Sequence, residues 1–97
     1  MVYFILPKLE VLEQTGALRI LLYLFKNGES TLSELLNNIS ISPTAIYKTL
    51  SKLLEEKLIE DKVMYDLPRK RVILLTKKGE EVAKYIDLIR KVLESTL

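Results

Sequence analysis

The stretch from Thr31 to Leu58, TLSELLNNISISPTAIYKTLSKLLEEKL, constrains the fold more than any other, because it holds two helix starts joined by a tight turn. Thr31 is placed to accept from the backbone N–H of Glu34, while the Glu34 carboxylate can reach back to the N–H of Thr31, a reciprocal capping pair. A helix then begins at Leu32. Leu32, Leu35, Leu36 and Ile39 fall at i, i+3, i+4 and i+7, a single apolar stripe closed by Asn37 and Asn38 ahead of Ser40. Ser42 supplies a second cap, and Pro43 takes the first helical position, where a missing N–H costs nothing. The second helix is expected to bury Ile46, Leu50, Leu53 and Leu54 with the stem of Lys57. Thr44, Lys48, Ser51 and Glu55 then point outward, flanked by Ala45, Tyr47 and Lys52.

This outward face carries no carboxylate before Glu55. A helix that enters the major groove needs short side chains near its N-terminus and donors for phosphate. Ser42, Thr44, Ala45, Tyr47, Lys48, Ser51 and Lys52 meet that need, although the same residue types also occur on ordinary solvated helices. From Ile59 to Leu75 the chain turns β-branched and aromatic, with Leu67-Pro68-Arg69-Lys70 between two strand-like runs, which is a β-hairpin signal. Arg69, Lys70 and Arg71 then form a cation cluster at the hairpin tip. Charge on an edge strand also serves to block aggregation. Beside a helix-turn-helix, however, a basic tip can lie along the phosphates or reach into the minor groove.

With these elements in order, the chain resembles the winged-helix-turn-helix regulators, especially the MarR-like and PadR-like transcription factors and their small archaeal relatives. The helix-turn-helix, the LEEKLIE exit from Leu54 to Glu60, the hairpin, and Leu75-Thr76-Lys77-Lys78-Gly79 carry the resemblance, which spans Ala17 to Leu93. It implies a winged helix that binds double-stranded DNA as a homodimer. One departure stands out. Family members often place Gly where the recognition helix ends, whereas here Lys57 or its neighbour must turn the chain, at a cost of order 1 kcal/mol if it adopts a left-handed cap.

The flanking segments fit that frame. Ala17 to Lys26 is apolar almost all round, so burial on most sides is expected, with Asn27-Gly28 as its stop. It falls short of the roughly 20 apolar residues a membrane span needs. Thr76 can cap a last helix with Glu80 and Glu81 near its start. There Val82, Tyr85, Ile86, Ile89, Val92 and Leu93 repeat at three-four spacing, broadened by Leu88. Such a stripe either folds back on the core or pairs with a second copy; twofold binding to twofold operators favours a dimerisation helix. Met1 to Pro7 is apolar without the basic start or small-residue cleavage site of a signal peptide. A strand or arm on the last helix or the partner subunit is expected there, followed by a short lead-in turn within Lys8 to Gln14.

Composition sets the limits. Ninety-seven residues, 48% of them hydrophobic, suit one domain. The net charge of +2 argues little by itself, but five cations and no acid lie between Leu67 and Lys78, while Glu10, Glu13, Glu29 and Glu34 crowd the first third. A polarised molecule with one basic edge follows. The absence of Cys fits a reducing, cytoplasmic setting, and the Leu, Ile, Lys and Glu bias resembles that of thermophiles. Without His or Cys the usual bases, nucleophiles and zinc ligands are missing, and Glu55-Glu56 and Glu60-Asp61 read as solvated surface. No catalytic residue, metal or cofactor is expected.

The expected architecture is mainly α with a small β-hairpin (α+β). It is a single winged-helix domain over 1–97, with the helix-turn-helix at about 31–57, the wing at about 59–75 and the dimerisation helix at about 77–95. The expected function is sequence-specific DNA binding by a transcriptional regulator. A winged-helix protein-interaction module is the alternative; it would show apolar residues on the outward face of the recognition helix or acids at the tip, and Tyr47 alone leans that way. The residues do not specify an operator, an effector, or repression against activation.

Overall fold

The computed structural model describes residues 9–65 and 69–96. The expected N-terminal strand or arm, and Leu67-Pro68 of the expected hairpin turn, lie outside the described residues. A 3-10 turn, Glu10–Glu13, occupies the expected lead-in and precedes α1 (Ala17–Asn27) and the short strand β1 (Ser30–Thr31). Then come α2 (Leu32–Asn38), α3 (Pro43–Glu55), the hairpin strands β2 (Ile59–Met64) and β3 (Lys70–Leu75), and α4 (Lys77–Glu94). The three strands form an antiparallel sheet in the order β1-β3-β2, with Met64 facing Lys70 at the open end and Ile59 facing Leu75 at the base. This is a winged helix, α+β as expected.

The helix starts follow their local signals. The Thr31 hydroxyl accepts from Glu34 N–H at 3.1 Å and the Ser42 hydroxyl from Ala45 N–H at 3.2 Å. The Glu34 carboxylate, expected on the N–H of Thr31, accepts instead from the hydroxyls of Ser30 (3.3 Å) and Thr31 (3.2 Å). The reason is β1. Ser30 and Thr31 pair with Ile73 and Val72, so the residues ahead of α2 form a third strand rather than a free cap. That strand adds to the two-stranded hairpin expected from sequence, and two residues are too short to show any period.

The core is built from Ile20, Leu21 and Leu24 of α1, Leu35 of α2, Ile46, Leu50 and Leu53 of α3, and Ile59 and Ile73 of the sheet. Helix α1 departs from the expected near-complete burial. Its Ala17, Ile20, Leu21 and Leu24 stripe is fully buried, while Leu18 is 48% exposed and Phe25 also reaches solvent. Leu22 and Tyr23 are half-buried, and among the described residues nothing covers Leu18 or fully covers Phe25.

The end of α3 resolves the missing glycine. Lys57 takes φ 60°, the left-handed region. Its N–H donates to Leu54 O and the N–H of Leu58 to Leu53 O, both at 3.0 Å, which is the Schellman pattern. Leu58 and Leu53 are both buried in the core, completing the apolar contact of that motif. Lys57 is therefore exposed and past the helix, so its stem does not extend the buried stripe as expected. Relief of the left-handed strain, less the freedom glycine adds to the unfolded chain, gives Lys57→Gly a net stabilisation of roughly 0.5 kcal/mol. Urea unfolding checks it: the midpoint rises with an unchanged slope.

One buried charge has no counterpart in the expected pattern. Asp87 of α4 is 5% exposed, and Lys26 in the last turn of α1 reaches it at 3.1 Å. Arg90 lies at 3.0 Å and Lys91 at 3.5 Å. Burial by itself would raise the Asp87 pKa. Hydrogen bonds from Lys26 and Arg90, with the charges of Lys26 and Lys91, outweigh it and hold the group below the ordinary 3.8. A carboxyl with a depressed native pKa stabilises the fold above its unfolded value, and that contribution fades as pH falls through the native value. Melting temperatures of the wild type and Asp87→Asn are thus expected to differ at pH 7 and to converge in acid below about pH 4. Parallel curves across that range would contradict this account.

Candidate nucleic-acid interface

Helix α3 is held by contacts on its inner side that leave its outer face open. Thr49, missing from the expected buried stripe, is buried, and its hydroxyl donates to Thr15 O at 2.6 Å. The turn between α2 and α3 is fixed against the same corner. Gly16 has φ 80°, a Cβ there would overlap the Ile41 side chain, and Arg19 Nη1 donates to Ser40 O at 3.4 Å. Gly16 also forms the cap of α1. One corner of the chain therefore seats the start of α1, the turn and the middle of α3.

Outward from that seat, Ser42, Thr44, Lys48, Ser51 and Lys52 are exposed, Tyr47 is 48% exposed, and Ala45 is half-buried. The Ser42 hydroxyl accepts the N–H of Ala45 in the cap and keeps its own O–H to donate. Lys52 lies 3.7 Å from Glu55, one turn further along. Among the described residues Lys48 meets no carboxylate. The face thus offers one unpaired cation, two free hydroxyls and a phenol.

The basic run of the hairpin is divided by the sheet. Because β3 begins at Lys70, Lys70 and Arg71 project to opposite faces. Arg71 Nε is 2.7 Å from Asp61 Oδ2, a diagonal cross-strand pair. Arg69 lies over the ring of Tyr65 at 5.1 Å from its centroid, and Tyr65 is largely exposed. A hollow of about 530 Å³ separates these three cations from Thr31, Leu32, Ser33 and Glu34 at the start of α2. The sequence cluster therefore becomes a stacked Arg69, an open Lys70 and a partnered Arg71.

Lys78, counted in sequence with the basic edge, belongs elsewhere. Its Nζ donates to Glu56 O at 3.1 Å, covering the carbonyl end of α3, where a cation complements the helix dipole. The single basic edge expected between Leu67 and Lys78 is thus two separate groups. Tyr65 and Lys62 were not among the expected contact residues. Lys62 shares a sheet face with Lys70, two residues from its cross-strand partner, a signal that strand register alone provides. Along α4, Tyr85, Leu88, Ile89, Val92 and Leu93 are exposed, the last two at 73% and 79%. Val82 is half-buried, and Ile86, expected in the dimer stripe, is buried in the chain's own core. Among the described residues no group of acids is placed to hold a metal. No helix among them is long and apolar enough to cross a membrane.

Residues 11–97 match the HxlR-like helix-turn-helix family. No curated protein matches the chain. Among solved structures, one from Porphyromonas gingivalis described as a MarR-family transcriptional regulator superposes with a TM-score of 0.80 at 23% identity, over 100% of this chain and 98% of that one. A transcriptional regulator homologue from Pyrococcus horikoshii gives 0.74 at 17% identity, covering 89% and 90%. A double mutant of ZitR from Lactococcus lactis, in its apo form, is 30% identical with a TM-score of 0.75, over 84% of this chain and 61% of that one.

Proposed function

We propose, from the premise that this chain belongs to the HxlR-like helix-turn-helix family, that it binds duplex DNA sequence-specifically as a homodimer and acts in the cytoplasm. The family is one of transcriptional regulators, and the chain is a helix-turn-helix regulator rather than an enzyme. In this reading α3 enters the major groove, with Thr44, Ala45, Tyr47 and Ser51 nearest the bases and Lys48 and Lys52 on phosphate. The wing brings Arg69 and Lys70 to the neighbouring backbone or minor groove, with Arg71 behind them.

The observation that carries the reading is the outward face of α3, which holds hydroxyls and cations, no acid before Glu55, and only the inner side anchored. The dimer rests on α4. Five large apolar side chains stand exposed on its outer side, more than a solvated helix accounts for. Tyr85 and Ile89 also line an apolar groove of about 540 Å³ between α4 and the 3-10 turn, so the apolar surface extends past the helix. A stable interface buries ~800 Å² per partner, and a second copy would bury the α4 face together with this groove.

A fluorescence-anisotropy titration with labelled random and upstream-region duplexes at two salt concentrations, with light scattering in parallel, tests both parts. Salt-sensitive binding by a species of twice the chain mass is expected. A monomer would remove the dimer. Absence of binding at low salt would favour the protein-interaction alternative.

A further inference from the structure

We infer that Asp87 is a positioning residue: by tying α4 to the last turn of α1 it sets the direction in which the exposed end of α4 leaves the body, and thereby the separation of two recognition helices on DNA. This deepens the dimeric DNA-binding reading and rests on it.

Among the described residues, Asp87 is the last buried residue of α4. The buried residues of that helix are Gly79, Ala83, Ile86 and Asp87; from Leu88 to Thr96 every residue is exposed except the half-buried Arg90. Arg90 itself is bonded to Asp87 (Nε, 3.0 Å) and to Glu94 (Nη1, 2.6 Å), so the free end of α4 is stiffened from the same point. The other buried residues of α4 are Gly79, Ala83 and Ile86, small or aliphatic, and such packing tolerates rotation and sliding. The carboxylate adds a directional bond across to Lys26 of α1 at 3.1 Å, while its bond to Arg90 stays within α4 and holds the carboxylate in place.

Energy points the same way. A buried ion pair is seldom more stabilising than apolar side chains of equal volume, and its best-attested use is to fix register. The apolar residues proposed to meet a second copy begin beside or beyond this point, so any tilt of α4 there moves the whole second protomer. Across the molecule's 39 Å middle dimension a tilt of about 5° displaces the far side by about 3.4 Å, one base-pair step. An error that leaves each recognition helix intact would therefore place the pair out of register with its two half-sites.

The test is selection from a pool of random duplexes of about 40 base pairs, long enough for two half-sites one or two helical turns apart. The wild type is expected to recover one half-site motif at one dominant spacing. Asp87→Asn and Lys26→Met are expected to recover the same motif, with preference for the dominant spacing falling roughly tenfold. Lys26→Arg is expected to keep the single spacing. A merely stabilising role would lower recovery at all spacings alike and leave the preference intact, and that result overturns the inference. Should Asp87→Asn fail to fold, Lys26→Met decides by itself, since the side chain removed is half exposed; an unchanged spacing preference there overturns the proposal. Failure of the wild type to recover paired half-sites would instead overturn the dimeric DNA-binding reading beneath it.

Discussion

Replacing Arg69, Lys70 and Arg71 together by alanine is expected to weaken DNA binding roughly sixtyfold for each wing engaged at about 0.1 M salt and to flatten the salt dependence by about 1.8 units of slope per wing, twice that for a dimer docked through both. Both figures follow from two lost phosphate contacts at about 0.9 units each. Two contacts are counted rather than three because Arg71 is already held by Asp61, whereas Lys70 meets no carboxylate among the described residues and Arg69 rests on the face of Tyr65. Anisotropy titrations from about 0.05 to 0.3 M salt read slope and affinity together over the range where counterion release dominates. An unchanged slope would remove the wing from the interface. A loss near 2.7 units per wing would mean that Arg71 exchanges Asp61 for phosphate on binding.

Gly79→Ala is expected to destabilise the fold by about 3 kcal/mol, lowering the melting temperature by roughly 15 °C. The first turn of α4 lies against the backbone of the turn that ends α3. A Cβ on Gly79 would overlap the Leu58 carbonyl oxygen and come within 2.9 Å of its carbon. Backbone cannot step aside as a flexible side chain can, because Leu58 O also accepts from Thr76 N–H and the Thr76 hydroxyl donates to Lys57 O at 2.7 Å. That hydroxyl in turn accepts from Gly79 N–H at 3.0 Å, so Leu-Thr-x-x-Gly is a clamp between the end of the recognition helix and the start of α4. Thermal melts followed by circular dichroism measure the effect; a shift of less than about 4 °C would contradict the close approach.

Much of the fold was legible in the residues. Thr31, Ser42 and Thr76 cap the three helices they precede, Pro43 opens α3, and the apolar runs around Arg69–Lys70 pair as a hairpin. The candidate site was legible as a set of residues on α3 and less so on the wing. Three consecutive cations look like one cluster in a sequence. Strand alternation and the Asp61 pair separate them, and neither can be placed before the register is known.

What the sequence alone determined about this protein are the features decided within one helical turn or one hairpin: caps, periodicity, strand pairing and the outward face of α3. Tertiary structure decided the rest. Ser30 and Thr31 form a strand because β3 lies beside them. Thr49 and Asp87 are buried because Thr15, and Lys26 with Arg90, satisfy their polar atoms. Gly79 is required because Leu58 presses on it, and Leu18 and Phe25 of α1 stay exposed because no described element lies over them. Burial depends on which distant segments supply cover and hydrogen-bond partners, and no local pattern of residues carries that information.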